Sequence, residues 1–325
     1  MNMKSQFEKL FNNDMPTEEA RAFLMALAQK GETPEEIAVA ASLMREHSIK
    51  LPIPKVLQEK AIDVVGTGGD KIGSFNISTT VSLLLASLDC VVAKHGSRSI
   101  TSQSGSADVL ESLGINLNLT PEQQVKMLEE TGFCFIFAMN HHPVMKHIMP
   151  IRKSIEHRTI FNILGPLTNP AGAKKYLLGV FSPEYIGRMA KALLELDAKK
   201  AFVVSSDDGM DEISLATTTQ FAYIEDGVIS EGIIDPEAHG FKLAPQKAIL
   251  GGNAKENATI TREIFTGEST QAQRDIVLLN AGYALFVDGK ARDMKEAFEK
   301  VSEGIDSGKA TKHLNFMANV SQKLV

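Results

Sequence analysis

Only two cysteines, Cys90 and Cys134, occur in the 325 residues. They are too few for a disulfide framework and are not spaced as a CxxC metal site. The opening stretch MNMKSQFEKLFNND has neither the basic nor the apolar segment of a signal peptide, so a reducing cytoplasm is the expected location. Long hydrophobic runs are missing too. Stretches such as Val81–Leu88 and Phe133–Met139 fall far short of the roughly 20 residues a membrane helix needs, and no membrane association is expected. Positive charge is not in excess: 34 Lys and Arg face 40 Asp and Glu, a net charge of −6. That balance argues against a whole surface built for nucleic acid, while leaving room for a local basic pocket that takes a small anion. No internal repeat or low-complexity tract is visible. With 43% hydrophobic residues the chain can bury a large core, which excludes disorder.

The first sixty residues carry apolar side chains every three or four positions in FEKLFNN, PTEEARAFLMALAQKG and TPEEIAVAASLMREHS, which predicts helices. Thr33 with Glu36 spells a capping box, Gly31 a helix terminator, and Leu51-Pro-Ile-Pro54 a linker. Beyond residue 60, short β-type runs (AIDVV, CVVA, FCFIFA, YLLGVF, AFVVSS, FAYI) are separated by helix-length segments. That alternation predicts a parallel or mixed sheet with helices on both faces. Thr120 with Gln123 caps one of those helices, and the C-terminal third returns to helical periodicity.

Four polar stretches can carry chemistry. In Asp63-Val-Val-Gly-Thr-Gly-Gly-Asp70 a strand runs into a glycine-rich turn, and Asn76, Ser78 and Thr79 open the next helix. Glycines let backbone N–H groups approach an anion, and the helix start adds partial positive charge, so this is a candidate phosphate cradle. It has neither the GxxxxGK[ST] spacing nor a dinucleotide fingerprint, since Lys71 stands where the third glycine would be. A tight turn alone is the plainer reading. Lys94-His-Gly-Ser-Arg98 and Thr101–Asp108 place cations and hydroxyls after the next strand, where open α/β sheets bind ligands; by itself such a loop is often only a solvated turn. His141-His-Pro-Val-Met-Lys-His147, followed by Arg152, Lys153, His157 and Arg158, reads as the wall of an anion site or as a solvated helix face. The histidine spacing does not fit a metalloprotease zinc pair. Ser205–Ser214 ends a strand with four carboxylates around Gly209. Asp207 and Asp208 suit an Asp-Gly turn, while Asp211 and Glu212 suit Mg²⁺, which binds through one or two carboxylates plus substrate phosphates. No GxSxG or Cys/His arrangement indicates a covalent nucleophile.

GTGGD at Gly66–Asp70, NIST at Asn76–Thr79, KHGxR at Lys94–Arg98, SGSADVLExLG at Ser104–Gly114, RTIFNILGPLTNP at Arg158–Pro170, DGMDEIS at Asp208–Ser214, GGNAKENA at Gly251–Ala258 and RDIVLLNA at Arg274–Ala281 follow one another in order. Through these motifs the sequence resembles the anthranilate phosphoribosyltransferases over nearly its whole length. The resemblance implies an α/β fold of the nucleoside phosphorylase/phosphoribosyltransferase type. A small N-terminal helical domain at 1–60, joined by helices from about 145–175, would accompany a larger domain at 61–325 with a mainly parallel central sheet flanked by helices. It implies a homodimer that transfers phosphoribosyl from 5-phosphoribosyl-1-pyrophosphate (PRPP) to the amine of anthranilate, with Mg²⁺ as cofactor and no nucleic-acid partner. It further implies that Gly66, Gly69, Asp70, Ser74, Asn76, Ile77, Ser78, Thr79, Lys94, His95, Gly96, Ser97, Arg98, Ser99, Ile100, Thr101, Ser102 and Ser106 hold PRPP. Gly66, Ser97 and Arg152 would hold anthranilate, and Ser78, Asp211 and Glu212 would serve the metal.

The sequence departs from the family pattern at two places: Ser97 stands where an asparagine is usual, and Glu156-His157 replace Gly-Val. A pyrimidine nucleoside phosphorylase would share the architecture but needs a different phosphate loop at Val65–Lys71. A non-catalytic nucleic-acid-binding relative would need a basic groove, against which stand the negative charge and the intact DGMDEIS.

Overall fold

The computed structural model describes residues 3–99 and 103–324. Helices Met3–Phe11, Thr17–Lys30 and Pro34–Glu46 form the N-terminal unit. Gly31 ends the second with φ +83°, a left-handed conformation that glycine adopts without cost. Thr33 Oγ1 accepts from Glu36 N at 3.3 Å and Glu36 Oε2 from Thr33 N at 3.0 Å, the reciprocal box that starts the third helix. These helices bury Phe7, Leu10, Phe11, Leu24 and Ile37. A later segment, residues 147–167, completes this unit: the Phe11 and Phe161 rings meet edge-on with centroids 6.2 Å apart, His147 Nε2 donates to Leu10 O at 3.1 Å, and Arg45 Nε donates to Leu167 O at 2.6 Å.

The larger unit is built on seven strands: β1 Ile62–Gly66, β2 Val92–Gly96, β3 Phe133–Phe137, β4 Lys175–Gly179, β5 Lys200–Ser206, β6 Thr219–Glu225 and β7 Val228–Ile234. Their order is β3-β2-β1-β4-β5-β6-β7. The first five are parallel, and β6 and β7 close one edge antiparallel. The fold is thus a small helical unit beside an α/β unit with a mostly parallel sheet. No helix among the described residues is long and apolar enough to cross a membrane.

One expectation needs correction. No helix separates β5 from β6: residues 207–218 are irregular, and β6 turns straight into β7 through Asp226-Gly227, with φ values of +51° and +77°. Asp-Gly with both residues left-handed is the preferred two-residue hairpin turn, so the sheet gains a strand that the βα alternation did not predict. The strand order matters for the site. β2 lies on one side of β1 and β4 on the other, so the carboxyl ends of β1 and β4 form the switch-point crevice where ligands of open α/β sheets bind.

Candidate active site

At that crevice Gly66 and Gly179, the last residues of β1 and β4, lie in register. A Cβ on Gly66 would stand 2.3 Å from Asp211 Oδ2, and one on Gly179 only 1.5 Å from the Asp211 carbonyl oxygen. The two glycines form a notch into which the chain after β5 inserts its acids. Gly68 N–H donates to Asp211 Oδ2 at 2.7 Å, and Ser78 N–H, in the first turn of helix Ile77–Ser87, donates to Glu212 Oε1 at 2.9 Å. Beneath them the buried Lys94 Nζ donates to Val64 O at 2.6 Å and to Ser78 Oγ at 3.4 Å. Burial, followed by repulsion from Asp70, pushes the Asp211 carboxyl up to about 6. Burial and then the neighbouring Asp211 and Asp70 charges raise Glu212 well above its ordinary range. Burial pulls the Lys94 ammonium down to about 8 against the attraction of Asp63 and Glu212.

These carboxylates are hard oxygen donors crowded with like charge, so the donor set fits a divalent cation. Among the described residues no three or more His, Cys, Asp or Glu side chains are grouped to hold an ion by themselves.

The glycine loop follows β1. Gly68, Gly69, Lys71 and Gly73 all have positive φ, between +64° and +80°. A backbone of this kind lets N–H groups come close to a ligand, while the Gly68 N–H is already engaged by Asp211. Asp70 Oδ1 accepts from Ile72 N at 3.2 Å and stabilises the turn. Two other segments converge on Asn76: its Nδ2 donates to Ser104 O at 3.3 Å, and its Oδ1 accepts from Asn257 Nδ2 at 2.8 Å. Ser74 bridges to Leu250, and a Cβ on Gly251 would be 2.6 Å from Phe75 Cα, which explains the glycine pair that opens GGNAKENA.

Other expected ligands are committed elsewhere. Ile77 and Thr79 are buried in the core, which leaves only their backbone for a ligand. The His95 ring points away from the crevice: its Nδ1 donates to Gly165 O at 3.1 Å and its Nε2 lies 3.2 Å from His142 Nε2. Gly96 is required by the Phe135 ring, which a Cβ would meet at 2.9 Å. Ser97 Oγ donates to Arg98 O at 2.9 Å. Arg98 pairs with Asp108 at 2.8 Å and Glu111 at 2.6 Å, and Asp108 also accepts from Ser99 N at 3.2 Å. This arginine braces its own loop against helix Ser106–Ser112, which Ser106 opens. The expected ligands Ile100, Thr101 and Ser102 lie outside the described residues. Asp207 and Asp208 bind Thr218, Gln220 and Ser214, in keeping with a structural turn.

His141, His142 and His147 are engaged by internal partners. His141 spans Ile49 O at 2.6 Å and Gln124 Oε1 at 3.1 Å, and His147 holds Leu10. Arg152 is different. On helix Met145–Lys153, half-buried, its guanidinium meets Met149 Sδ at 3.9 Å and lies 5.7 Å from the Phe161 ring centre. No carboxylate among the described residues pairs with it, and burial lowers its pKa. A half-withdrawn cation without an internal counter-ion is available to a ligand carboxylate.

Sequence reasoning passed over Gly179, which reads as a strand residue in YLLGVF. It also passed over Asn257 and over Asn280, whose side chain accepts from Ile213 N at 3.0 Å and donates to Ile213 O at 2.8 Å, so holding the chain beside Glu212. Both asparagines lie in motifs quoted above, and for Asn280 a lone amide among apolar residues of a helix was the available signal.

Comparison with known proteins gives a consistent picture. The profile described as glycosyl transferase family, a/b domain, matches residues 58–311, and that of the family's helical bundle domain matches residues 2–48. The chain is 44% identical to the anthranilate phosphoribosyltransferase of Aquifex aeolicus over 93% of its own length and 88% of that protein's. With the Exiguobacterium sibiricum enzyme of the same name it shares 43% identity over 99% and 94%. Among solved structures, the Thermus thermophilus anthranilate phosphoribosyltransferase superposes with a TM-score of 0.92 at 38% identity, over 98% of this chain and 94% of that one. The Saccharomyces cerevisiae enzyme in complex with PRPP and Mg superposes with a TM-score of 0.86 at 28% identity, over 94% and 86%.

Proposed function

Because the chain belongs to the family of anthranilate phosphoribosyltransferases, we propose that it transfers the 5-phosphoribosyl group of PRPP to the amine of anthranilate. The products are N-(5-phosphoribosyl)anthranilate and pyrophosphate, in the second step of tryptophan synthesis from chorismate. The observation that carries this reading is the meeting, at the β1/β4 switch point, of a glycine loop with four left-handed residues and two mutually repelling carboxylates. An anionic substrate that arrives with a divalent cation satisfies both.

Displacement at ribose C1 builds oxocarbenium character on the sugar and negative charge on the departing pyrophosphate. The N–H groups of the glycine loop and of the start of helix Ile77–Ser87 receive the phosphate oxygens. Asn76, held by Asn257 and Ser104, keeps that helix start against the loop after β2. Asp211 and Glu212, with Ser78 Oγ, are the groups that would hold Mg²⁺, which when bound supplies charge neutralisation for the leaving group. Lys94 balances Glu212 from below. The acceptor is a neutral arylamine, so attack needs positioning and no strong base. Arg152 supplies the positioning through charge-assisted hydrogen bonds to the anthranilate carboxylate, and Ser97 lies on the loop expected to face the same substrate. The enzyme works as a cytoplasmic homodimer, with a helical domain at 1–60 completed by helices from about 145–175 and a catalytic domain at 61–325.

Loss of anthranilate fluorescence on mixing the protein with PRPP, anthranilate and Mg²⁺ tests the reading. Absence of turnover with that pair, in a folded preparation, overturns it.

A further inference from the structure

Arg158 is exposed, follows the helix that carries Arg152, and closes over the glycine loop. Its Nη2 donates to Gly69 O at 2.7 Å, and its guanidinium carbon lies 3.7 Å from the centre of the Phe181 ring. Phe181 is tied to the same loop from the other end, since its N–H donates to Thr67 Oγ1 at 3.1 Å while Thr67 N–H donates to Gly179 O at 3.0 Å. The glycine loop is thus clasped twice, once by the backbone beyond β4 and once by a side chain from the acceptor-bearing segment.

The clasp acts on the orientation of one peptide. In a planar trans unit the carbonyl and the N–H point in opposite directions. Gly69 O is drawn to Arg158, so Asp70 N–H faces the other side of the loop, and a carbonyl oxygen is kept from turning into a cradle meant for anions. The left-handed φ of +80° at Gly69 makes this peptide easy to turn in the absence of a restraint. A cation stacked at 3.7 Å on an aromatic face and hydrogen-bonded to a carbonyl is a directional restraint that a flexible ammonium reproduces only in part.

We propose that Arg158 is a positioning residue that holds the Gly69–Asp70 peptide in its anion-receiving orientation and makes donor binding depend on the segment that carries Arg152. This rests on the PRPP-dependent reading above, and the wild-type protein measured alongside separates the two: no turnover by wild type strikes that reading, whereas the clasp is judged only on variants of an active enzyme. Arg158→Ala and Arg158→Lys are compared by steady-state kinetics, by calorimetric titration with PRPP and by thermal unfolding. For Arg158→Ala the expected result is a PRPP KM and Kd raised about tenfold, the scale of one charge-assisted hydrogen bond. The anthranilate KM at saturating PRPP and the unfolding temperature should stay near wild type, with Arg158→Lys in between. A PRPP Kd within about twofold of wild type in Arg158→Ala overturns the proposal. So does a loss of PRPP affinity that comes with an equal loss of anthranilate affinity and a lowered unfolding temperature, which would mark Arg158 as merely structural.

Discussion

Asp211 and Glu212 in the crevice and Arg152 on helix Met145–Lys153 are charged groups withdrawn from water, yet the protein treats them differently. Each carboxylate accepts a backbone N–H, from Gly68 and Ser78, and the pair sits in a notch cut by two glycines. Arg152 has a thioether and an aromatic ring for company and no internal counter-ion among the described residues. The proposed donor half is wired into the sheet; the proposed acceptor half is a single cation held by packing. Substitutions in the donor half should therefore combine chemistry with local order, while those at Arg152 should act on one substrate.

The largest effect is expected where the wiring is densest. Asp211→Asn with Glu212→Gln keeps acceptor oxygens for Gly68 and Ser78 but removes the charges that would attract Mg²⁺. Turnover should fall by a factor of ~100 or more, the range for losing a preorganised electrostatic group. The unfolding temperature in EDTA should hold or rise, because burial and mutual repulsion disfavour both anions in the metal-free protein. Retained activity in the double variant, or wild-type turnover indifferent to EDTA, would remove the metal role.

Arg152→Ala comes next and tests the other half. A charge-assisted hydrogen bond is worth about 1.5–3 kcal/mol, or on the order of 10- to 150-fold in anthranilate KM. PRPP affinity should change far less. A variant with weakened PRPP binding and ordinary anthranilate KM would move Arg152 to the phosphate side and break the comparison.

What could be read in advance divides along the same line. The capping boxes at Thr33 and Thr120, the strand-turn-helix of Asp63–Thr79 and the acids at Asp211-Glu212 depend on local chemistry, and local chemistry is written in consecutive residues. The roles of His95, Arg98 and Gly179 depend on what the fold brings opposite them, namely Gly165 with His142, Glu111 on the next helix, and the Asp211 carbonyl. A histidine beside a glycine, or an arginine between two serines, looks like a ligand until its partner is seen. The β6–β7 hairpin was legible only through Asp226-Gly227, a signal that the βα rhythm of the preceding strands masked.

The His95–His142 pair extends the comparison to pH. Gly165 O can only accept, so His95 Nδ1 carries a proton; His95 Nε2 then accepts from His142 Nε2, leaving His142 Nδ1 bare, buried and unpartnered. Asp63, which accepts from His95 N, and Lys94 and His141 are the charged or titratable groups around the pair. Burial, then His141, pulls His142 from 6.5 down to about 4, and burial with His142 pulls His95 well below its ordinary value. A base with a depressed folded pKa stabilises the fold fully above its unfolded pKa and loses that contribution as pH falls toward the folded value. Stability should therefore decline between about pH 6.5 and 4, by up to about 1.4 kcal/mol per pH unit for each histidine. His142→Gln, whose amide can still donate to His95, should flatten the slope. Asp63, raised to about 7 by burial, works in the opposite sense, so the difference between wild type and variant is the quantity to read. Parallel curves would show that the pair does not titrate on unfolding.

The smallest effect is expected at Ser97, and it sharpens the picture of the acceptor side. Its hydroxyl donates to Arg98 O at 2.9 Å and so serves its own loop, while Arg98 is held in turn by Asp108 and Glu111. A serine so engaged offers a substrate at most its lone pairs. Ser97→Asn lengthens the side chain and adds an amide that can both donate and accept, without touching the Arg98 brace. One neutral hydrogen bond is worth about 0.5–1.5 kcal/mol, so anthranilate KM should fall by roughly two- to tenfold, or stay unchanged if the longer side chain faces solvent. In either case Arg152 remains the dominant anchor, and combining Ser97→Asn with Arg152→Ala should restore only a small part of the lost affinity. Full restoration in that double variant would mean that the loop after β2, and not the helix that carries Arg152, is the main determinant of acceptor binding.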